Sequence, residues 1–174
     1  AVELDIPHIY KKTDSALRGN IGAELSALLE VSGERQLPFL PAFPQIGRIT
    51  RAGIQYIGTT PVAHSVFGQD PFEPVRHSTV ASLIGEQSQA PIHSCSALSP
   101  TAPLPQEAGI IVFDAASKED LERTGQRLLE DGRLRIMAGC AGFGAVLPSL
   151  LGLDSRPPAA APQLDPRLLI ICGS

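Results

Sequence analysis

Residues 109–142 carry the sequence GIIVFDAASKEDLERTGQRLLEDGRLRIMAGCAG, and this stretch decides the fold class. Its first five residues, Gly109–Phe113, are apolar and end at Asp114, which is typical of a buried strand. A second apolar segment, Leu134–Ala138, leads into a turn of small residues at Gly139–Gly142. Strands that alternate with helices favour an α/β fold, here a three-layer Rossmann-like sandwich with a largely parallel sheet. Asp114 and the turn then lie at strand carboxyl ends, where open α/β sheets form their ligand crevice.

A helix is predicted between these two strands. Ser117 and Asp120 form a capping box, because the serine side chain can accept from the Asp120 backbone while the aspartate carboxylate reaches back. The helix ends near Gly132 and is followed, after the second strand, by an apolar helix over 143–151. The apolar face of the first helix consists of Leu121, Leu128 and Leu129.

The first part of the chain predicts a similar order with weaker patterns. A strand over 6–11 is followed by a polar loop and by a helix that Asn20 can cap and that stops at Gly33. A further strand over 37–43 contains Pro38 and Pro41, which favour a sheet edge or an irregular strand end. The remaining predicted elements are a small hairpin over 53–62, a short helix over 78–87 with Val80, Leu83 and Ile84 together, and a proline-rich loop over 97–106.

The composition of the 174 residues argues against several classes of protein. Hydrophobic residues make up 43% and the formal net charge is −4, whereas a disordered chain has low hydrophobicity and high net charge. The acidic balance, the absence of Trp and the presence of only two Tyr argue against a nucleic acid partner. No apolar run reaches the roughly 18 residues of a membrane span, and the N-terminus lacks a signal-peptide pattern. We therefore expect no membrane partner and a cytoplasmic location.

The cysteines and histidines predict no metal site. Cys95, Cys140 and Cys172 are far apart and form no C-x-x-C pair, which fits a reducing compartment. None of the four histidines is spaced i, i+4 with another, and no H-E-x-x-H motif occurs.

The densest polar stretch is KKTDSALRGN at 11–20, between a predicted strand and a predicted helix. Backbone N–H groups at a helix start, with lysine and arginine nearby, form an anion site. Arg18 can hold a carboxylate or phosphate with two parallel hydrogen bonds, and Asp14 and Ser15 can hold hydroxyl groups. The set therefore suits a polyhydroxy acid. A solvated loop that caps the helix is the alternative interpretation.

Two further segments are candidates for the same site. Arg48 follows a glycine in a proline-rich turn and could contact the same anion, although an exposed arginine is more often solvated. The Gly139–Gly142 turn would let backbone N–H groups approach a ligand, or would allow a strand and a helix to pack tightly. Within it, Cys140 is either a stabilised thiolate or a small buried side chain. Asp114 is either a ligand for a hydroxyl or a metal, or an ordinary cap.

Several segments carry longer motifs. Residues 11–24 match K-K-x-D-S-x-L-R-G-N-x-G-x-E, and residues 41–53 match P-A-F-P-x-x-G-R-x-T-x-x-G. Residues 67–78 match F-x-x-D-P-x-x-P-V-x-x-S, and residues 139–143 match G-S-A-G-F except that Cys140 replaces the serine. In this order the motifs resemble those of the four-carbon acid sugar kinases. The last strand and its Gly-Ser turn are similar to the start of that family's nucleotide domain.

The resemblance implies a two-domain kinase that uses ATP and Mg²⁺. Its substrate would be a four-carbon sugar acid such as threonate, erythronate or a 3-oxo-tetronate, phosphorylated on the terminal hydroxyl. Residues 1–155 would be the sugar-acid-binding domain without its first strand, 156–166 a Pro/Ala-rich linker, and 167–174 the first strand of the nucleotide domain. The chain would then be a fragment, and we expect it to be inactive alone.

The resemblance also implies roles for individual residues. Ser174 would be the first ATP contact. The family's acidic D-D-x-T-G motif, the expected source of the catalytic carboxylate, is absent, so the catalytic residue is unassigned and Asp14 is the candidate within this sequence. A homodimer is left open. The implied acid site consists of Lys12, Asp14, Ser15, Arg18, Gly19, Asn20, Arg48, Gly139, Cys140, Ala141 and Gly142.

Two other functions stay open at this point. One is a non-catalytic module that binds an anion or a protein partner. Some members of the resembled family carry labels that link them to Hrp-dependent type III effectors, although this sequence shows no secretion-like tail. The other is a dehydrogenase or phosphatase on a Rossmann-like sheet, which is disfavoured because G-x-G-x-x-G and paired catalytic carboxylates are absent.

Overall fold

The computed structural model describes residues 6–96 and 103–153. The strands are β1 (Ile9–Lys12), β2 (Gln36–Leu40), β3 (Arg48–Arg51), β4 (Ile54–Ile57), β5 (Thr60–Pro61), β6 (Ile92–Cys95), β7 (Gly109–Phe113) and β8 (Ile136–Gly139). The helices are α1 (Ile21–Ser32), α2 (Val80–Gly85), α3 (Lys118–Glu130), α4 (Ala141–Gly144) and α5 (Leu147–Leu150).

Five strands form a parallel sheet in the order β1-β8-β2-β7-β6. β1 and β8 end together, because Lys12 lies opposite Gly139. β2 ends at the same level, with Leu40 also opposite Gly139. The predicted α/β fold with a largely parallel sheet is confirmed. The carboxyl ends of three adjacent strands meet at one edge, which is where such sheets bind ligands.

Helices cover both faces of this sheet. Successive residues of a strand point to opposite sides, so Ile110 and Val112 of β7 pack with α1 and α2, while Ile111 and Phe113 pack with α3 and the helices that follow β8. The result is the three-layer arrangement that the sequence predicts. The capping box of α3 is also confirmed, with Ser117 accepting from the Asp120 backbone N–H at 3.1 Å.

A small antiparallel sheet, β3-β4-β5, lies beside the carboxyl ends of the main sheet. It is attached there by a bridge between Thr50 and Ala115 and by the Asp114 carboxylate, which accepts from the Gly53 N–H at 2.9 Å. The predicted hairpin over 53–62 corresponds to β4 and β5. β3 and β6 were not predicted from the sequence.

Two sequence predictions differ from the structure in the strands and helices. β2 is the central strand rather than an edge strand. Its ladder with β8 starts at Phe39, so the missing N–H of Pro38 breaks no bond on that side, and the strand ends before Pro41. The helix predicted over 143–151 is two short helices, because the Pro148 ring would clash with the Gly144 carbonyl in a continuous helix.

The predicted capping of α1 by Asn20 is wrong. Asn20 has φ −87° and ψ 46°, not the extended backbone from which a side chain caps, and its side chain makes no capping bond. The Gln87 side chain from the end of α2 serves instead, accepting from the Gly22 N–H at 2.9 Å. The predicted stop is confirmed, since Gly33 ends α1 in the left-handed conformation at φ 69°.

Part of the domain prediction lies outside the described residues. The linker over 156–166, the strand over 167–174 and Ser174 all belong to that part of the chain. Among the residues that the structure describes, no helix has the length and apolar character needed to cross a membrane.

Candidate functional site

The loop after β1, residues 13–20, is shaped by the carboxylate of Asp14. Its Oδ2 accepts from the backbone N–H groups of Ala16 at 3.1 Å and Arg18 at 3.3 Å. The backbone passes through the left-handed region at Leu17 (φ 64°) and again at Gly19 (φ 88°). Leucine rarely adopts this conformation, and such strain persists where surrounding bonds fix the turn, often at functional sites. The loop therefore holds Arg18 in one place at the sheet edge.

Arg18 forms a bidentate ion pair with Asp14. Its Nε donates to Oδ2 at 3.0 Å and its Nη2 donates to Oδ1 at 2.9 Å. Burial would raise the pKa of Asp14, but the hydrogen bonds and charge of Arg18 outweigh it and hold that pKa below its usual value. The same bonds raise the pKa of Arg18. The guanidinium is thus charged and oriented, and it retains N–H groups for a ligand.

A second arginine meets Arg18 on the ring of Phe67. The guanidinium carbon of Arg18 lies 5.1 Å from the ring centroid, and that of Arg48 lies 5.3 Å from it. Arg48 begins β3, while Arg18 belongs to the loop after β1, so the fold brings two distant segments together. Both contacts are within cation–π range. Two positive charges beside one ring raise the local positive potential, which favours binding of an anion.

Two polar atoms at this edge are buried without a hydrogen-bond partner in the described ranges, the Thr13 hydroxyl oxygen and the Arg48 Nε. Thr13 directly follows β1, is only 3% exposed, and donates its backbone N–H to the Gly139 carbonyl at 2.7 Å. A buried polar group without a partner costs about 1–3 kcal/mol. Such groups at a functional edge indicate atoms that a ligand or ordered water satisfies.

The Gly139–Gly142 turn is tightly packed in the structure. A Cβ on Gly142 would lie 2.5 Å from the Ala42 carbonyl oxygen, and one on Gly139 would lie 2.5 Å from that of Leu40. The Cys140 thiol is buried and donates to the Ala42 carbonyl at 3.0 Å. Burial raises the pKa of this thiol, so it is not a stabilised thiolate. Any ligand contact of this turn would come from its backbone.

The other predicted site residues lie around the same edge. Lys12 ends β1 with an exposed side chain, and its ammonium group has no partner among the residues described. Ser15 points its carbonyl at Gln55, and Asn20 is exposed beside the start of α1. Lys11, by contrast, is paired with Glu24 at 2.8 Å. The structure therefore gathers the segments that the sequence analysis proposed, while their ligand contacts stay a prediction.

A family model described as "Sugar-binding N-terminal domain" matches residues 2–147. The chain belongs to this family. The result supports the resemblance to the N-terminal domain of four-carbon acid sugar kinases.

Characterised relatives of this sugar-binding domain are much longer proteins. A D-threonate kinase from Salmonella typhimurium is 33% identical over 160 residues, which are 86% of this chain and 38% of the relative. A D-erythronate kinase from Heliobacterium modesticaldum is 34% identical over 124 residues, which are 64% of this chain and 28% of the relative. The sugar-binding domain thus spans well under half of either kinase.

Solved structures share the fold. A crystal structure of a domain of unknown function from Bordetella bronchiseptica, with bound citrate and as a domain-swapped dimer, has a TM-score of 0.73 and 28% identity. The match covers 86% of this chain and 37% of that one. A Haemophilus influenzae protein has a TM-score of 0.75 at 21% identity, covering 86% of this chain and 39% of that one, which supports the fold alone.

Buried polar residues of the sugar-binding domain were missed by the sequence analysis. Gln55 on β4 accepts from the Thr50 hydroxyl at 2.6 Å and donates to the Ser15 carbonyl at 2.9 Å. Gln55 is 0% exposed and Thr50 is 1% exposed. Together they tie the small sheet that carries Arg48 to the loop that carries Arg18. Polar residues within the predicted hairpin were the available signal.

The Asp114 carboxylate binds the β3–β4 turn of the small sheet and does not face the candidate site. It is buried at the end of β7, and burial raises its pKa, although the N–H groups of the β3–β4 turn partly offset this effect. No cluster of three or more His, Cys, Asp or Glu side chains in the described ranges could hold a metal ion. Since Asp14 is committed to Arg18, the described carboxylates do not fit a Mg²⁺ site.

A cavity at the opposite end of the sugar-binding domain is also lined by arginines, Arg35, Arg133 and Arg135. These have internal partners. Arg133 donates to the Gln36 side chain and to the Pro105 carbonyl, and it pairs with Asp131. Its role is to hold loops together. Arg48 differs because its Nε has no such partner in the described residues.

Proposed function

We propose that this chain is the substrate-binding part of an ATP-dependent kinase that phosphorylates the terminal hydroxyl of a four-carbon sugar acid, such as threonate, erythronate or 3-oxo-tetronate. The observation that carries the proposal is the pair of guanidinium groups, Arg18 and Arg48, held on the Phe67 ring. Support comes from the relatives named as D-threonate, D-erythronate and 3-oxo-tetronate kinases. A cytoplasmic location and a homodimer remain predictions.

The two arginines would bind the carboxylate of the acid. Arg18 is already oriented by Asp14, so its free N–H groups can form charge-assisted hydrogen bonds without a large loss of side-chain entropy. Arg48 is half-buried and would offer its terminal guanidinium N–H groups to the same ligand. A relative from Bordetella bronchiseptica was crystallised with citrate, a small carboxylic acid, which fits this class of ligand.

Other residues at the same edge of the sheet would form hydrogen bonds with the hydroxyl groups of the acid. The buried Thr13 hydroxyl lacks a partner among the described residues and can exchange a hydrogen bond with a substrate hydroxyl. Lys12 adds an exposed positive charge at the end of β1. In this role the chain binds and orients the acid. ATP supplies the phosphoryl group, and because the described residues do not fit Mg²⁺ we assign no step of the transfer to them.

Calorimetric titration of the 174-residue chain tests the binding half of the proposal. The ligands are D-threonate, D-erythronate and a 3-oxo-tetronate, with erythritol as a neutral four-carbon control. We expect one acid to bind and erythritol not to bind. Arg48→Gln should weaken that binding about 10- to 100-fold, because a hydrogen bond to a charged group is worth about 1.5–3 kcal/mol.

Arg51→Gln is the matched control. Arg51 ends the same strand, is exposed, and points to the opposite face of β3 because it lies three residues after Arg48. The affinity of the Arg51→Gln variant for the acid should stay within about two-fold of the affinity of the unaltered chain. Equal loss in both variants, or equal binding of acid and erythritol, would refute the site. The kinase half is tested by acid-dependent ADP release from a protein that contains both domains.

A further inference from the structure

We infer that Phe67 is a positioning residue of this site, whose ring holds the guanidinium groups of Arg18 and Arg48 together before a ligand arrives. The inference rests on the proposed function for the identity of the ligand. Its structural basis is the position of both guanidinium carbons, which lie close to 5 Å from one ring centroid.

The ring is itself held in place by its own segment. The Phe67 N–H donates to the Ser65 side chain at 3.2 Å, and its carbonyl accepts from the Val75 N–H at 2.9 Å. The Ser65 hydroxyl in turn donates to the Val62 carbonyl at 2.6 Å. The Phe67 side chain packs against the core under α1 and α2. The ring is therefore a fixed surface that both arginine side chains contact.

The two arginines depend on this ring to different degrees. Arg18 has a second anchor, the bidentate pair with Asp14. The Arg48 Nε has no hydrogen-bond partner in the described residues, so the ring contact is the interaction that orients its guanidinium. Loss of the aromatic face should therefore release Arg48 more than Arg18.

The charges around Arg18 and Arg48 support the same conclusion. Two cations near one point repel each other unless negative charge or an electron-rich face offsets them. Asp14 neutralises Arg18 directly, and Asp70 lies close enough to raise the pKa of Arg18 slightly further. The negative face of the Phe67 ring is the element that contacts both cations. It offsets the repulsion between the two cations without adding a carboxylate that would repel an acid.

A graded substitution series separates this role from simple packing. Phe67→Leu keeps an apolar side chain but removes the aromatic face, while Phe67→Tyr keeps the face. We expect Phe67→Leu to weaken acid binding about 5- to 30-fold, which corresponds to two modest cation–π contacts, and Phe67→Tyr to stay within about three-fold. Val66→Ala is the control, since Val66 precedes Phe67 on the same segment and is 71% exposed, and this variant should bind the acid within about two-fold of the unaltered chain.

A second readout needs no ligand. The Nε–H and side-chain proton resonances of Arg18 and Arg48 in the free protein should carry a ring-current shift that persists in Phe67→Tyr and disappears in Phe67→Leu. The loss should be greater for Arg48. Thermal unfolding confirms that each variant is folded before either measurement.

The outcomes distinguish this inference from the proposed function. If the unaltered chain binds no sugar acid, the proposed function fails, and the arginine resonances alone decide the role of Phe67. If the acid binds and Arg48→Gln abolishes binding while Phe67→Leu does not change it, the proposed function stands and the inference is overturned. Equal losses in the leucine and tyrosine variants would show a packing role and would also overturn it.

Discussion

Replacing Gln55 with leucine should destabilise the chain far more than the loss of one surface amide would. The Gln55 side chain is fully buried and makes two hydrogen bonds, one with the Thr50 hydroxyl and one with the Ser15 carbonyl. Leucine would leave both partners unpaired in the interior. Each unsatisfied group costs about 1–3 kcal/mol, so we expect the free energy of unfolding to fall by about 2–5 kcal/mol. In a domain of this size, that corresponds to a fall in Tm of about 5–15 °C.

Urea denaturation followed by circular dichroism measures this loss, with Gln69→Leu as the control on an exposed glutamine. A double-mutant cycle adds Thr50→Val. Because the valine removes the hydroxyl that Gln55→Leu leaves unpaired, the double variant should lose less stability than the sum of the single variants, by about 1 kcal/mol. A loss below about 0.5 kcal/mol in Gln55→Leu, or strict additivity in the cycle, would refute the buried network.

Three further predictions follow from single side chains. Asp114 has a raised pKa in the folded chain, so its contribution to stability is present at low pH and declines as pH rises above its unfolded value. Asparagine does not titrate, so Asp114→Asn should remove that decline when unfolding is measured as a function of pH. Its amide oxygen can still accept from the β3–β4 turn, which keeps the turn attached. Gly142→Ala should lower stability by about 1–3 kcal/mol in chemical denaturation, since the new methyl meets the Ala42 carbonyl at 2.5 Å. Burial raises the pKa of both Cys95 and Cys140, but only Cys140 is fully buried, so a thiol reagent at neutral pH should modify Cys95 before Cys140, as peptide mass spectrometry would show.

The parts of the fold that were predicted from sequence are those with strong local patterns. β7 is a continuous apolar run, and α3 has both a capping box and an apolar face, so each is specified by adjacent residues. β3 and β6 are short and partly polar, and they exist because of partners far along the chain. Among the described residues β6 pairs with β7 alone, and β3 is fixed by β4 and by the Thr50–Ala115 bridge. Such pairings leave little trace in a single sequence.

In the candidate site, too, some residues could be predicted from local sequence patterns and others could not. Arg18 and Arg48 were proposed to meet one anion because charged residues next to glycines follow two predicted strands, and the structure brings both to the Phe67 ring. The roles of Phe67 and Gln55 were not predicted. Phe67 contacts Arg18 across about fifty residues, and Gln55 bonds Ser15 across forty. Tertiary folding decides these contacts, so residue type alone could not show them.

Asp14 could either position Arg18 for substrate binding or act as the general base of the reaction, and the two roles predict different kinetics. Its carboxylate is engaged by the Arg18 side chain and two backbone N–H groups, and its pKa is lowered, so it is a weak base at neutral pH. We therefore expect Asp14→Asn, in a protein that contains both domains, to raise KM for the acid by releasing Arg18. The pH profile of kcat should not change. A general base would behave differently, with kcat falling about 10²- to 10⁴-fold and the acidic limb of the profile lost, because that limb reports protonation of the base. Measurement of kcat and KM from pH 5 to 9 distinguishes the two, and a collapse of kcat at unchanged KM would restore Asp14 as the catalytic residue.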